Sequence, residues 1–294
     1  MHVQILRTIA LAALVASASP ARATEPPIPL QYNLALDLSI TGAMGASILL
    51  LAIYQPALLP ETCRWCTPPG IDVAARNALV WRGAERTADV LSTVIDAVIP
   101  ASAATYLLLS ANGAGDVNAG LVDTLLVTEA AAAALLLNQV VKLLVGRKRP
   151  HVFFENDLGY AKSEDNLSFY GGHTSFAFSV TAATVTVAAM RGYAGVGIVA
   201  GVGFTLSAAV GYLRIAADQH YRTDILIGSA VGASSAGRSP ASFTRPFQED
   251  RRRQGRDRRE ELDREEPRPD LRLGTVTDPR ASSPVREPGA SAGP

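Results

Sequence analysis

Six apolar stretches succeed one another along the chain: Leu34 to Tyr54, Val90 to Ala111, Leu121 to Val145, Thr174 to Met190, Gly192 to Leu213 and Ile225 to Gly237. Thr174 to Met190 and Gly192 to Leu213 carry no charged side chain at all. Runs of about 17 to 25 residues with so few charges suit helices in a bilayer, where each backbone must satisfy its own hydrogen bonds. The expected fold is all-α: a membrane-embedded helical bundle of about five to six helices. The competing architecture is a soluble bundle with buried helices, because alanine dominates several stretches and Asp96, Asp123 and Glu129 fall inside others.

Charge distribution divides the chain further. Of 27 basic and 27 acidic residues, 13 arginines and 11 acids lie after residue 237, so the rest is only about 13% charged against about 25% in a typical soluble domain. Residues 238–294, rich in Pro, Ser, Arg and Glu, predict a disordered charged tail. A net charge of zero gives no general case for a nucleic-acid partner. At the other end, Arg7, the apolar run Ile9 to Ala18 and the triplet Ala21-Arg22-Ala23 predict a signal peptide over residues 1–23, with an uncleaved anchor as the alternative. Residues 24–84 then hold the first apolar stretch and a Cys-containing loop, and residues 85–237 the helical core. In an exported chain Cys63 and Cys66 predict a local disulfide; a zinc site lacks a second pair, and a redox motif lacks its βαβ setting. Inside the core, the recurring Gly197, Gly201, Gly203 and Gly211 are expected to let helices approach closely.

Three motifs carry chemistry. Lys142 ends an apolar stretch and Arg149-Pro150 follows seven residues on; beside Arg147 and Lys148, the plainer reading is a basic cluster at a membrane edge. Ser168-Phe169-Tyr170-Gly171-Gly172-His173-Thr174-Ser175 stands before a charge-free stretch, where paired glycines and a helix N-terminus can present N–H groups to an anion. Alone, His173 reads equally as a cap or surface residue. Finally, Arg214 is followed by His220 and Asp224. Spacing of four places His220 and Asp224 on one face if the segment is helical, where the carboxylate can orient a nucleophilic imidazole.

Taken in order, these motifs resemble the signature of the type 2 phosphatidic acid phosphatase and vanadium haloperoxidase superfamily, in its membrane phosphatase branch. Lys142, Arg149 and Pro150 match the first part, Gly172 and His173 the second, and Arg214, His220 and Asp224 the third. The resemblance covers roughly residues 85 to 237. Gly171 stands where the family has serine, Tyr170 where it has proline, and Leu213 where it has the serine before the arginine.

The resemblance implies phosphoryl transfer with no metal or other cofactor. His220 would attack phosphorus and form a phosphohistidine, Asp224 would orient it, and His173 would protonate the leaving oxygen and later activate water. Lys142, Arg149 and Arg214 would bind the phosphate oxygens together with the N–H groups of Gly171 and Gly172. The implied substrate is a lipid phosphate or an isoprenoid pyrophosphate, cleaved at a bacterial-type inner membrane on the periplasmic or exterior face. A weakened or non-catalytic protein that binds phosphorylated lipid is the alternative, and a vanadate-dependent haloperoxidase a third. Topology follows by parity: if the site faces outward, a cleaved signal peptide and a fully crossing Leu34 to Tyr54 exclude each other. Asp37, Gly42 and Gly45 make that stretch the weaker span.

Overall fold

The computed structural model describes residue 30, residues 32–59 and residues 62–235. The expected signal peptide and charged tail lie outside them. The described residues contain eight α-helices: α1 (Leu34–Leu58), α2 (Gly70–Leu79), α3 (Glu85–Gly113), α4 (Val117–Val145), α5 (Pro150–Phe153), α6 (Gly172–Arg191), α7 (Val196–Ala216) and α8 (Arg222–Ser235). Six form the bundle, as expected. The two short ones, α2 and α5, fall in connections that the hydropathy pattern leaves blank.

Local chemistry sets the boundaries. Asp116 caps α4 by accepting from the Ala119 N–H at 3.0 Å. Gly146 ends α4 in the left-handed conformation, with φ 59°, which a residue without Cβ adopts freely. Asp37, expected to weaken α1 as a span, lies in its first turn and accepts from the Asn33 N–H. α1 is an unbroken helix of 25 residues, about 37 Å at 1.5 Å per residue.

Helices α1, α3, α4 and α7 are long and apolar enough to cross a membrane. Their outward faces carry exposed Leu49, Leu50, Ile53, Val90, Val94, Leu121, Leu137, Leu144 and Ile198, an apolar surface suited to lipid and costly in water. Helix α6 is the hub, packed by α3, α4, α7 and α8. Its buried face is made of small residues, among them Ala177, Ser179, Ala182, Ala183 and Ala188, which lets neighbouring backbones come close. Gly203 meets α6 so closely that a Cβ there would lie 2.6 Å from Thr181 Cγ2, and Ser207 Oγ joins Thr181 Oγ1 at 3.0 Å. Gly197 and Gly201, expected to do the same, face open space. Their four-residue spacing puts them on the side of α7 that the bundle does not cover.

Two of the acids inside the apolar stretches also find places. Asp123 accepts from Arg191 Nε at 2.8 Å and from the Tyr193 hydroxyl at 2.7 Å, a buried cluster that ties α4 to the end of α6. Asp96 lines a cavity described below.

Candidate active site

Short turns join α3 to α4 and α6 to α7, whereas long connections join α1 to α3 and α4 to α6. These connections, with the α7–α8 turn, converge at one end of the bundle. That end holds the C-terminal parts of α1, α4 and α7 and the N-terminal parts of α3, α6 and α8. It contains a cavity of about 360 Å³, lined among others by Lys142, Arg149, Gly172, His173, Arg214 and His220. Residues from all three sequence motifs therefore meet in one place.

His220 is fully buried in the turn between α7 and α8. Its Nδ1 lies 2.8 Å from the Ser168 carbonyl oxygen. A carbonyl can only accept, so Nδ1 carries the proton and Nε2 keeps its lone pair. Burial, then the nearby Arg149, Arg214 and Lys142, holds the imidazole well below its ordinary range and hence neutral. The expected helical i,i+4 geometry with Asp224 does not occur, because α8 begins only at Arg222. Asp224 Oδ2 stands 3.6 Å from Nδ1, near enough to act as a charge, while the Ser168 carbonyl makes the orienting hydrogen bond.

Asp224 is itself held on several sides. It accepts from Ser168 Oγ at 2.6 Å, from the Tyr221 N–H at 2.9 Å and from Arg147 at 2.5 Å. Arg147 also donates to Asp72 at 2.7 Å, and its guanidinium lies between the rings of Trp65 and Tyr221, 3.8 and 4.3 Å from their centroids. Asp72, on α2, accepts from the Thr223 N–H and so helps cap α8 from outside. The result is a buried chain Asp72–Arg147–Asp224 behind the imidazole. Burial pushes the Asp224 carboxyl up to about 6 against the opposing pull of Arg147. The sequence reading missed Asp72, gave Ser168 no role beyond opening the second motif, and placed Arg147 in a membrane-edge basic cluster. The signal for Arg147 was its register: it stands one residue past the glycine that turns the chain inward.

A second network fixes the turn carrying His220. Arg76 grips Asp218 with two hydrogen bonds, at 2.8 and 2.5 Å, and stacks over Phe154. Asp218 takes a left-handed backbone, φ 58°, and its carbonyl accepts from the His151 N–H. Cys63 and Cys66 are joined as a disulfide on the same face, next to the Trp65 that covers Arg147.

The cations are set differently. Arg149 is held by the Glu164 carboxylate at 2.6 Å, by the Glu164 carbonyl at 2.8 Å and by Gln219. Burial lowers its pKa while Glu164 opposes that shift. Arg214 donates to Asp89 at 2.5 Å. Among the described residues, no carboxylate lies within ion-pair distance of Lys142. His173, between these cations, is pushed down to about 2, first by burial and then by Arg214, Lys142 and Arg149.

The two glycines part company. Gly172 opens α6 beside Lys142 and Asn138; a Cβ there would lie 2.7 Å from Asn138 Oδ1 and 3.3 Å from Lys142 Nζ. The first intrahelical bond of α6 runs from the Ser175 N–H to the Gly171 carbonyl, so the N–H groups of residues 172–174 have no intrahelical partner and can serve an anion. Gly171 instead donates its N–H to the Asp224 carbonyl, and a Cβ on it would meet Ile225 and Thr174. The sequence reading put the Gly171 N–H on the phosphate; the closeness of α8 takes that donor for the backbone. Leu213 likewise packs against Ala88, Ala216 and Ala217. Side chains at 171 and 213 thus point into helix contacts.

Residues 123–247 match the family model described as the PAP2 superfamily. The match takes in most of α4 and all of α5 to α8, and with them the three motifs. Among solved structures, a transmembrane PAP2 type phosphatidylglycerolphosphate phosphatase from Bacillus subtilis is 17% identical, over 79% of this chain and 91% of that one, with a TM-score of 0.34. No curated protein matches the chain.

Proposed function

We propose that this protein is a metal-independent membrane phosphatase that hydrolyses a lipid phosphate or an isoprenoid pyrophosphate through a phosphohistidine. The observation that carries this reading is the Nδ1 hydrogen bond from His220 to the Ser168 carbonyl. It leaves a neutral imidazole with its Nε2 lone pair on the wall of a cavity that also holds Lys142, Arg149 and Arg214.

The phosphate sits among these three cations and the N–H groups that open α6, which stabilise the charge on its equatorial oxygens. His220 Nε2 attacks phosphorus as the bond to the leaving oxygen breaks. The Nδ1 proton stays on His220, and the positive charge that develops is stabilised by the nearby Asp224 carboxylate. His173, held neutral by burial and by Arg214, Lys142 and Arg149, gains basicity when a phosphate dianion offsets their charge. It then takes up a proton, delivers it to the leaving oxygen, and in the second half removes a proton from the water that attacks the phosphohistidine.

The non-catalytic alternative drew its force from Gly171 and Leu213, and both positions face helix contacts. Catalysis is therefore the better reading. The haloperoxidase alternative has no observation in its favour. Orientation toward the periplasm or exterior is supported by the Cys63–Cys66 disulfide beside the site, since such bonds persist in oxidising compartments.

The test is release of inorganic phosphate from a lipid phosphate by the purified full chain, with acid-labile phosphate on the protein trapped during turnover. His220→Ala should abolish both signals. Phosphate release that survives His220→Ala at the wild-type rate rejects the mechanism.

A further inference from the structure

The cavity extends beyond the phosphate cradle. On α4, Leu135 lies seven residues before Lys142, about 10 Å deeper along the helix and on the same face. Phe176 stands one turn below His173 on α6, and Gln55 of α1 closes another side. The cradle binds the phosphate and His173 sits at its lower edge, so the deeper space receives the leaving group. This compartment is apolar at Leu135 and Phe176 but contains one carboxylate, Asp96.

Asp96 is not explained by the bundle's own packing. It continues the face of α3 on which Asp89 and Ser92 contact Arg214, one turn further in, about 6 Å below Ser92. Arg214 is engaged by Asp89 and lies beyond ion-pair distance of Asp96. The other carboxylate of the cavity wall, Glu164, is engaged by Arg149. Asp96 Oδ1 is buried and has no hydrogen-bond partner among the described residues. The backbone adds to the excess of acceptors: Pro100, inside α3, has no N–H, so the Asp96 carbonyl lacks its usual i+4 donor. A buried acceptor without a donor is unfavourable, and at a cavity wall a ligand can supply that donor.

We infer that Asp96 is a specificity-determining residue that selects phosphate esters whose leaving group carries a hydrogen-bond donor, a hydroxyl or an ammonium, close to the phosphate. A leaving group made only of ester and hydrocarbon leaves the carboxylate unpaired and is disfavoured. The inference rests on the phosphatase reading and narrows its substrate class.

The experiment uses the full chain in vesicles and three phosphate monoesters of matched acyl length. One is a diacylglycerol phosphate, with no donor; one carries a free hydroxyl on a glycerol bearing the phosphate; one is a sphingoid-base phosphate with an ammonium. Wild-type kcat/KM should favour the donor-bearing substrates by about tenfold to a hundredfold. Asp96→Leu should erase that preference, lowering kcat/KM for donor-bearing substrates and raising it for the donor-free one. Asp96→Asn, which keeps the shape and one acceptor, should retain part of the preference for the hydroxyl and lose that for the ammonium. A wild type without preference, or variants that lose the same factor on all three substrates, overturns the assignment. If no substrate releases phosphate, the phosphatase reading fails by itself. The same ranking is then read from binding of the three non-hydrolysable phosphonates, and equal affinities overturn the inference.

Discussion

Arg147 offers the sharpest test of how this site is held. Its guanidinium is buried and engages Asp224 at 2.5 Å and Asp72 at 2.7 Å. Replacing it with methionine fills much of the space but leaves two buried carboxylates without their shared cation. Breaking a buried pair in this way costs about 3 to 5 kcal/mol of stability. The chemical consequence falls on Asp224, already raised to about 6 by burial with Arg147 opposing the shift. Removing an adjacent cation raises a carboxyl by about 1 to 3 units, so a two-unit rise leaves about one protein in ten with an Asp224 carboxylate at pH 7, against about nine in ten before. The proposed mechanism needs the charged form of Asp224, which is present above the pKa and lost as pH falls through it. The acid limb of kcat should therefore move from near pH 6 to about pH 8, with a fall in kcat at pH 7 of about ninefold from this cause alone.

The assay is a pH profile of phosphate release at saturating substrate, paired with a thermal unfolding curve for each variant. Arg147→Lys supplies the intermediate case: it restores a charge but cannot present a planar fork to two carboxylates or stack on Trp65 and Tyr221. A folded Arg147→Met protein whose acid limb stays at the wild-type pH refutes the reasoning, because Asp224 then does not set that limb.

Four further expectations follow from the geometry. Glu164→Gln removes a half-exposed carboxylate that competes with phosphate for Arg149 while keeping the backbone carbonyl that positions the same arginine, so vanadate and phosphate inhibition should tighten several-fold. Inhibitor binding should be coupled to proton uptake at His173, seen as pH-dependent calorimetric proton exchange that disappears in His173→Gln. Because side chains already supply the cationic charge, hydrolysis should persist in a chelator; activity lost in EDTA and restored by a divalent ion counts against the mechanism. Gly172→Ala should lower kcat/KM at least tenfold, since its Cβ would collide with Asn138 and crowd Lys142.

The bundle was legible because a bilayer imposes length and composition on each helix, and those are sequence properties. That Lys142, Arg149, His173, Arg214 and His220 gather around one cavity was foreshadowed by the order and spacing of their motifs. What escaped the sequence depends on contacts between distant segments. Asp72 reaches Arg147 across 75 positions and Arg76 reaches Asp218 across 142. No periodicity marks α2 as part of a site, because its pairing residues are ordinary charged side chains until the fold buries them. Gly171 shows the converse. Its motif position suggested an anion-binding donor, but α8 lies against it, and the Asp224 carbonyl takes the N–H.

That contact changes what a serine at 171 would do. Its φ of −62° and ψ of 108° suit an L-residue, so the backbone does not resist the substitution. The side chain would start 3.1 Å from Ile225 Cδ1 and 3.4 Å from Thr174 Oγ1 and would point into the α6–α8 contact. A hydroxyl there can reach Thr174 at modest crowding cost, so Gly171→Ser and Gly171→Ala should behave alike, each within about threefold of wild-type kcat/KM and slightly less stable. Kinetics of the two variants side by side, with thermal unfolding, decide the matter. If serine alone raises kcat/KM by tenfold or more, its hydroxyl reaches the phosphate, and α8 must then lie further from Gly171 in the working enzyme than it does here.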